Sequence, residues 1–112
     1  MAAKRENWLV FYLGGRMIGG YTLAGTFPGE QADTLQRLAY EHGCRPSDIE
    51  VRPEIMQGGK VLYIFFTLGG RFLRRCRLAE MDREKIRTEK YLLAYKHGCD
   101  AGQIRTKIQP LE

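Results

Sequence analysis

The sequence is poor in almost everything that announces a chemistry. Its three cysteines, Cys44, Cys76 and Cys99, are an odd number without CxxC spacing, which excludes a disulfide framework and leaves reduced, buried thiols. Its two histidines, His42 and His97, each stand in the string His-Gly-Cys. Together the two strings have the ligand count of a zinc site, but neither the His-x-Cys spacing nor the distance between the strings matches a zinc ligand pattern. No metal and no cofactor are expected. Long apolar runs are missing too. The longest, Val61 to Leu68, falls far short of the ~20 residues of a membrane span. Met1 to Asn7 are charged and lead into an aromatic, strand-like segment instead of the apolar stretch and cleavage site of a leader. A cytoplasmic protein with no membrane association is therefore expected.

Catalytic patterns are also absent. The Gly-Gly pairs invite a phosphate-loop reading, but they join strand to strand and no Lys and Ser/Thr follow them, so they are turns. Within His-Gly-Cys the glycine turn sends the flanking side chains apart, and no orienting carboxylate recurs beside them. The chain reads as a non-enzymatic binding module.

What is present is a repeat and a charge gradient. The 112 residues, 44% hydrophobic and 28% charged, suffice for one compact domain, residues 1–112. Leu13-Gly14-Gly15-Arg16 recurs as Leu68-Gly69-Gly70-Arg71, and Leu38-Ala39-Tyr40-Glu41-His42-Gly43-Cys44 recurs as Leu93-Ala94-Tyr95-Lys96-His97-Gly98-Cys99. Both recurrences have an offset of 55 residues, and the same register matches Phe11 with Phe66, Leu23 with Leu78 and Ile49 with Ile104. A tandem duplication with copies at 8–55 and 62–110 follows. The net charge of +5 is unevenly divided between the halves. Residues 1–57 hold six Lys and Arg against seven Asp and Glu, and residues 58–112 hold twelve against six. Such asymmetry suggests a face meant for a polyanion, although solvated surface is its commoner meaning. Arg83, Lys85, Arg87 and Lys90, interspersed with Glu84 and Glu89, read as such a solvated helix face. The final Leu111-Glu112 reads as a tag remnant and is given no role.

Each copy reads as ββαβ. Trp8 to Leu13 and Leu62 to Leu68 are aromatic and β-branched and end at Gly-Gly, the mark of a two-residue hairpin turn. Apolar residues at helical spacing predict helices over Pro28 to His42 and Asp82 to His97, with Asp82 as N-cap and Gly43 and Gly98 as stops. His42 and His97 then sit in last turns, where the helix dipole favours a cation. Ile49 to Ile55 and Ile104 to Ile108 alternate as half-buried strands. The third strand should lie beside the first of its own copy or, in a strand-exchanged version, cross to the other copy. The expected fold is α+β: one pseudo-twofold domain with a six-stranded, mainly antiparallel sheet and two helices on one face.

Alternation then assigns the faces. Leu9, Phe11 and Ile18, with Ile64, Phe66 and Leu73, should face the helices, leaving an open aromatic face of Trp8, Val10, Tyr12 and Met17 and of Tyr63, Phe65, Thr67 and Phe72. Strict alternation would bury Arg75 and Arg77, which uncompensated charge forbids. A β-bulge at Arg74-Arg75, matching Gly19-Gly20, would turn them out. Arg71, Arg74, Arg75 and Arg77 beside Tyr63, Phe65 and Phe72 then form a candidate surface for single-stranded nucleic acid, with flat groups for bases and cations for phosphates. Two other readings compete. Charge on an edge strand also blocks aggregation, and Trp8, Tyr12 and Tyr63 on an open face equally suit a homodimer or a protein partner.

Overall fold

A computed structural model of the protein describes residues 4–111. Met1 to Ala3, part of the leader argument, and Glu112, half of the terminal pair, lie outside the described residues. The described residues form an α+β fold, with two α-helices and six strands whose pairings are antiparallel. The chain divides into two compact units, Met1–Met56 and Gln57–Glu112.

In the first unit β1 (Glu6–Leu13) turns through Gly14-Gly15 into β2 (Arg16–Thr22). Both glycines have positive φ, +59° and +79°, the backbone of a primed hairpin turn that matches the twist of the flanking strands. Helix α1 (Glu30–His42) follows, and β3 (Ile49–Gln57) returns beside β1. The helix begins two residues later than its apolar spacing predicts because Gly29, at φ +88°, is left-handed and ends the preceding turn. At its other end Cys44 N–H donates to Ala39 O and Gly43 N–H to Tyr40 O. This Schellman stop accounts for the Gly-Cys pair structurally. Phe11, Leu38, Ala39 and Ile49 form the buried core, with Leu9, Leu13, Ile18 and Val51 packed against it. Burying a side chain the size of Phe11 contributes roughly 1.5–3 kcal/mol.

In the second unit β4 (Lys60–Leu68) and β5 (Arg71–Arg77) form the hairpin, and α2 (Arg83–His97) and β6 (Ile104–Pro110) follow. Asp82 caps α2 by accepting from Lys85 N–H at 2.8 Å, and Gly98 ends it in a left-handed conformation. Leu62, Ile64, Phe66, Leu93, Ala94 and Ile104 are buried.

β1 pairs with both β2 and β3, and β4 with both β5 and β6, so each third strand lies in its own unit and the strand-exchanged version is excluded. The bulges are displaced from the expected site. Phe11 pairs with Gly19 and Tyr12 with Met17, leaving Ile18 as the extra residue; Phe66 pairs with Arg74 and Thr67 with Phe72, leaving Leu73. Short 3-10 turns at Pro46–Asp48, Leu78–Glu80 and Ala101–Gln103 have no counterpart in the periodicity reading, since three residues are too few to show a period.

Candidate nucleic-acid interface

Directly opposed residues of an antiparallel ladder share a face. Pairing of β4 with β5 therefore groups Tyr63 with Arg77, Phe65 with Arg75 and Thr67 with Phe72. Pairing with β6 adds Gln109 opposite Tyr63, Lys107 opposite Phe65 and Arg105 opposite Thr67. The nine residues lie on the face opposite to that of Phe66, and none is acidic. The middle strand is aromatic: the Tyr63 and Phe65 rings meet edge to face at 6.5 Å, and Phe72 of β5 lies 6.1 Å from Phe65. Phe72 is 55% exposed, whereas Tyr63 and Phe65 are half-buried. The flanks are cationic. Arg75, Arg105 and Lys107 are exposed, and the Arg75 guanidinium lies 5.8 Å from the centre of the Tyr63 ring, within cation–π range. Arg77 is half-buried and ion-paired with Glu80.

Of the residues the sequence nominated for this surface, Tyr63, Phe65, Phe72, Arg75 and Arg77 come together. Arg71 and Arg74 do not. Arg74 opposes Phe66 on the helix side and forms a 3.0 Å ion pair with Glu89 of α2. Arg71 opposes Leu68, and its Nη2 is 3.5 Å from His97 Nδ1. The bulge at Leu73 sets this division: beyond it, odd-numbered β5 residues share the face of Phe65 and even-numbered ones that of Phe66. Sequence alternation does not single out Arg105 and Lys107. Their signal was present in the alternation of Ile104 and Ile108 with bases, but marked only a wet strand face until the ladder placed it beside Phe65.

The corresponding face of the first unit differs. Trp8, Val10 and Tyr12 of β1 oppose Glu54, Arg52 and Glu50 of β3, so acids stand where the second unit has Gln109 and Arg105. This face is not open as alternation predicted: Val10 is 0% and Glu54 1% exposed, and Trp8 and Tyr12 are half-buried. The Tyr12 hydroxyl donates to Glu54 Oε2 at 2.7 Å. Arg52 lies 5.1 Å from the Tyr12 ring centre and donates twice to Glu50, at 2.6 and 2.7 Å. Chiefly through those bonds its guanidinium pKa is pushed above its ordinary value. Of the nominated partner-interface residues, Trp8 and Tyr12 thus belong to a largely covered surface, and Tyr63 to the aromatic row of the second unit.

Among the described residues, no helix is long and apolar enough to cross a membrane, and no group of three or more His, Cys, Asp or Glu could hold a metal ion. The thiols of Cys44, Cys76 and Cys99 are free. The chain matches no family model, and no curated protein or solved structure shows a significant match to it.

Proposed function

We propose that the protein is a non-enzymatic module that binds single-stranded nucleic acid on the β4–β5–β6 face of its second unit. The observation that carries this reading is the row Arg75, Phe65, Lys107: an aromatic ring on the central strand with an exposed cation opposite it on each side. Two strand spacings separate the cations' backbones by about 10 Å, with the ring of Phe65 on the strand between them and the exposed ring of Phe72 beside it on β5. Stacking on such rings contributes about 1–3 kcal/mol per base whatever the sequence, while the cations follow the phosphates. Arg105 widens the basic track, and Arg77, tied to Glu80, closes one end of it.

The two units are further proposed to be copies of one ββαβ ancestor, spanning 8–55 and 62–110. The offset of 55 that aligns the sequence strings also brings β2 onto β5 and the start of β3 onto that of β6. The excess charge then has a location. Where the first copy has Gly20, Thr22 and Glu50, the second has Arg75, Arg77 and Arg105.

The test is fluorescence anisotropy with labelled dT15 and rU15 oligonucleotides at low salt. The wild-type protein binds, the Arg75→Ala/Lys107→Ala pair weakens binding at least tenfold, and circular dichroism is unchanged. No binding at 50 mM salt refutes the proposal. So does a dimer dispersed by Tyr63→Asp in a protein that binds no oligonucleotide, which would make the same face a protein interface.

A further inference from the structure

The strings that recur in both halves, Leu-Gly-Gly-Arg and His-Gly-Cys, belong to a hairpin turn and a helix stop, yet the fold brings them together. In the second unit Arg71 and His97 lie in direct contact. In the first, Leu13, Arg16, Met17, Ile18 and His42 line a hollow of about 560 Å³, half open to solvent, whose volume is within the range of small-molecule sites. Three of these side chains are apolar and two are basic. Arg16 and His42 are exposed and make no hydrogen bond or ion pair with any described residue, and no acid lines the hollow. The nearby C-terminal end of α1 is the negative end of its dipole and disfavours an anion, so the two side chains must supply the attraction. The guanidinium presents a planar fork of donors matched to carboxylate or phosphate oxygens, and Leu13, Met17 and Ile18 offer an apolar wall beside it.

We propose that this hollow binds a small organic anion, a carboxylate or phosphate monoester with an apolar substituent. Arg16 and His42 hold the charged group and Leu13, Met17 and Ile18 cover the substituent. The site lies in the first unit and is independent of the nucleic-acid surface.

The experiment is an NMR titration of the whole protein with phenyl phosphate and, separately, benzoate, following the Met17 methyl and His42 ring signals. At least one of the two shifts both signals saturably with a dissociation constant of about 1 mM or tighter, at one ligand per chain. Whichever binds tighter identifies the anionic group. Inorganic phosphate and benzyl alcohol, which each lack one half of the recognised chemistry, bind at least tenfold more weakly. Arg16→Gln and His42→Gln each weaken binding at least tenfold, and Arg71→Gln leaves it unchanged. All three substitutions are at surface positions, and the remaining spectrum reports whether the fold is intact. Absence of saturable shifts with both organic anions, equal binding of benzyl alcohol, or an unchanged constant in Arg16→Gln overturns the proposal.

Discussion

Arg74 and Arg75 are neighbours in sequence with opposite assignments, and replacing each by alanine should separate stability from binding. Arg74 reaches across the helix side of β5 to Glu89, whose side chain is only 13% exposed while that of Arg74 is 57% exposed. Exposed ion pairs contribute about 0–1 kcal/mol. Removing one partner of a fully buried pair costs about 3–5 kcal/mol, because the other charge is left without compensation. This half-sheltered pair falls between, and Arg74→Ala should cost about 1–2 kcal/mol, a fall in melting temperature of roughly 4–8 °C for a domain of this size. Arg75 is exposed and its guanidinium lies 5.8 Å from the centre of the Tyr63 ring, an interaction of about 0.5–1 kcal/mol at such a site. Arg75→Ala should therefore cost no more than about 1 kcal/mol while weakening oligonucleotide binding several-fold, whereas Arg74→Ala should leave binding nearly unchanged. Urea denaturation followed by circular dichroism gives the first quantity and fluorescence anisotropy the second. Equal effects of the two substitutions on both measurements, or the reverse pattern, would refute the division of faces at the Leu73 bulge.

Other consequences are local. Tyr12→Phe removes a hydrogen bond to the buried Glu54 carboxylate and should cost about 2 kcal/mol in urea denaturation; a loss below 0.5 kcal/mol would show that the bond contributes nothing. A Cβ on Gly19 would lie 3.1 Å from Leu38 Cδ1, and Leu38, 3% exposed in the buried core, has little room to yield, so Gly19→Ala should destabilise by about 1–2 kcal/mol; a Cβ on Gly102 would meet nothing within 4 Å, and Gly102→Ala should be close to neutral. Burial, helped by Glu30, raises the Tyr21 phenol pKa above 10.0. The folded state thus favours the neutral phenol, and the stabilisation present below the ordinary phenol pKa is lost as pH rises through and beyond it. The fall in urea midpoint above about pH 10 should be shallower in Tyr21→Phe, and an unchanged slope would contradict the shift.

Much of the architecture was legible because its signals are local. Gly14-Gly15 and Gly69-Gly70 permit the positive φ of a primed turn, Gly43 and Gly98 stop helices, Asp82 caps one, and Ile49, Val51 and Ile104 mark strand faces by period two. A bulge follows from the sequence, since buried unpaired arginines are forbidden, but its position does not. A bulge at Leu73 or one at Arg74-Arg75 turns Arg75 and Arg77 outward equally well, and only the ladder register separates them. The same register decides that Arg74 has Glu89, fifteen residues away in α2, as its partner, a pairing with no trace in strand alternation. Strand alternation alone does not assign Arg105 and Lys107 to this surface, because membership of a common surface depends on which strand lies beside β4. In the first unit, the burial of Val10 was illegible for a related reason: alternation tells which residues share a face, not whether that face is covered.

The salt dependence of oligonucleotide binding tests the central proposal most directly. Three exposed cations, Arg75, Arg105 and Lys107, flank the aromatic row. Each single-strand phosphate contact contributes about 0.7 to the slope of log affinity against log salt, so three give a slope near −2. Affinity for dT15 should then fall about 20-fold between 50 and 200 mM salt, and the slope should flatten to about −0.7 in the Arg75→Ala/Lys107→Ala protein. A slope near zero, or one unchanged by that double substitution, would contradict a nucleic-acid interface on the β4–β5–β6 face.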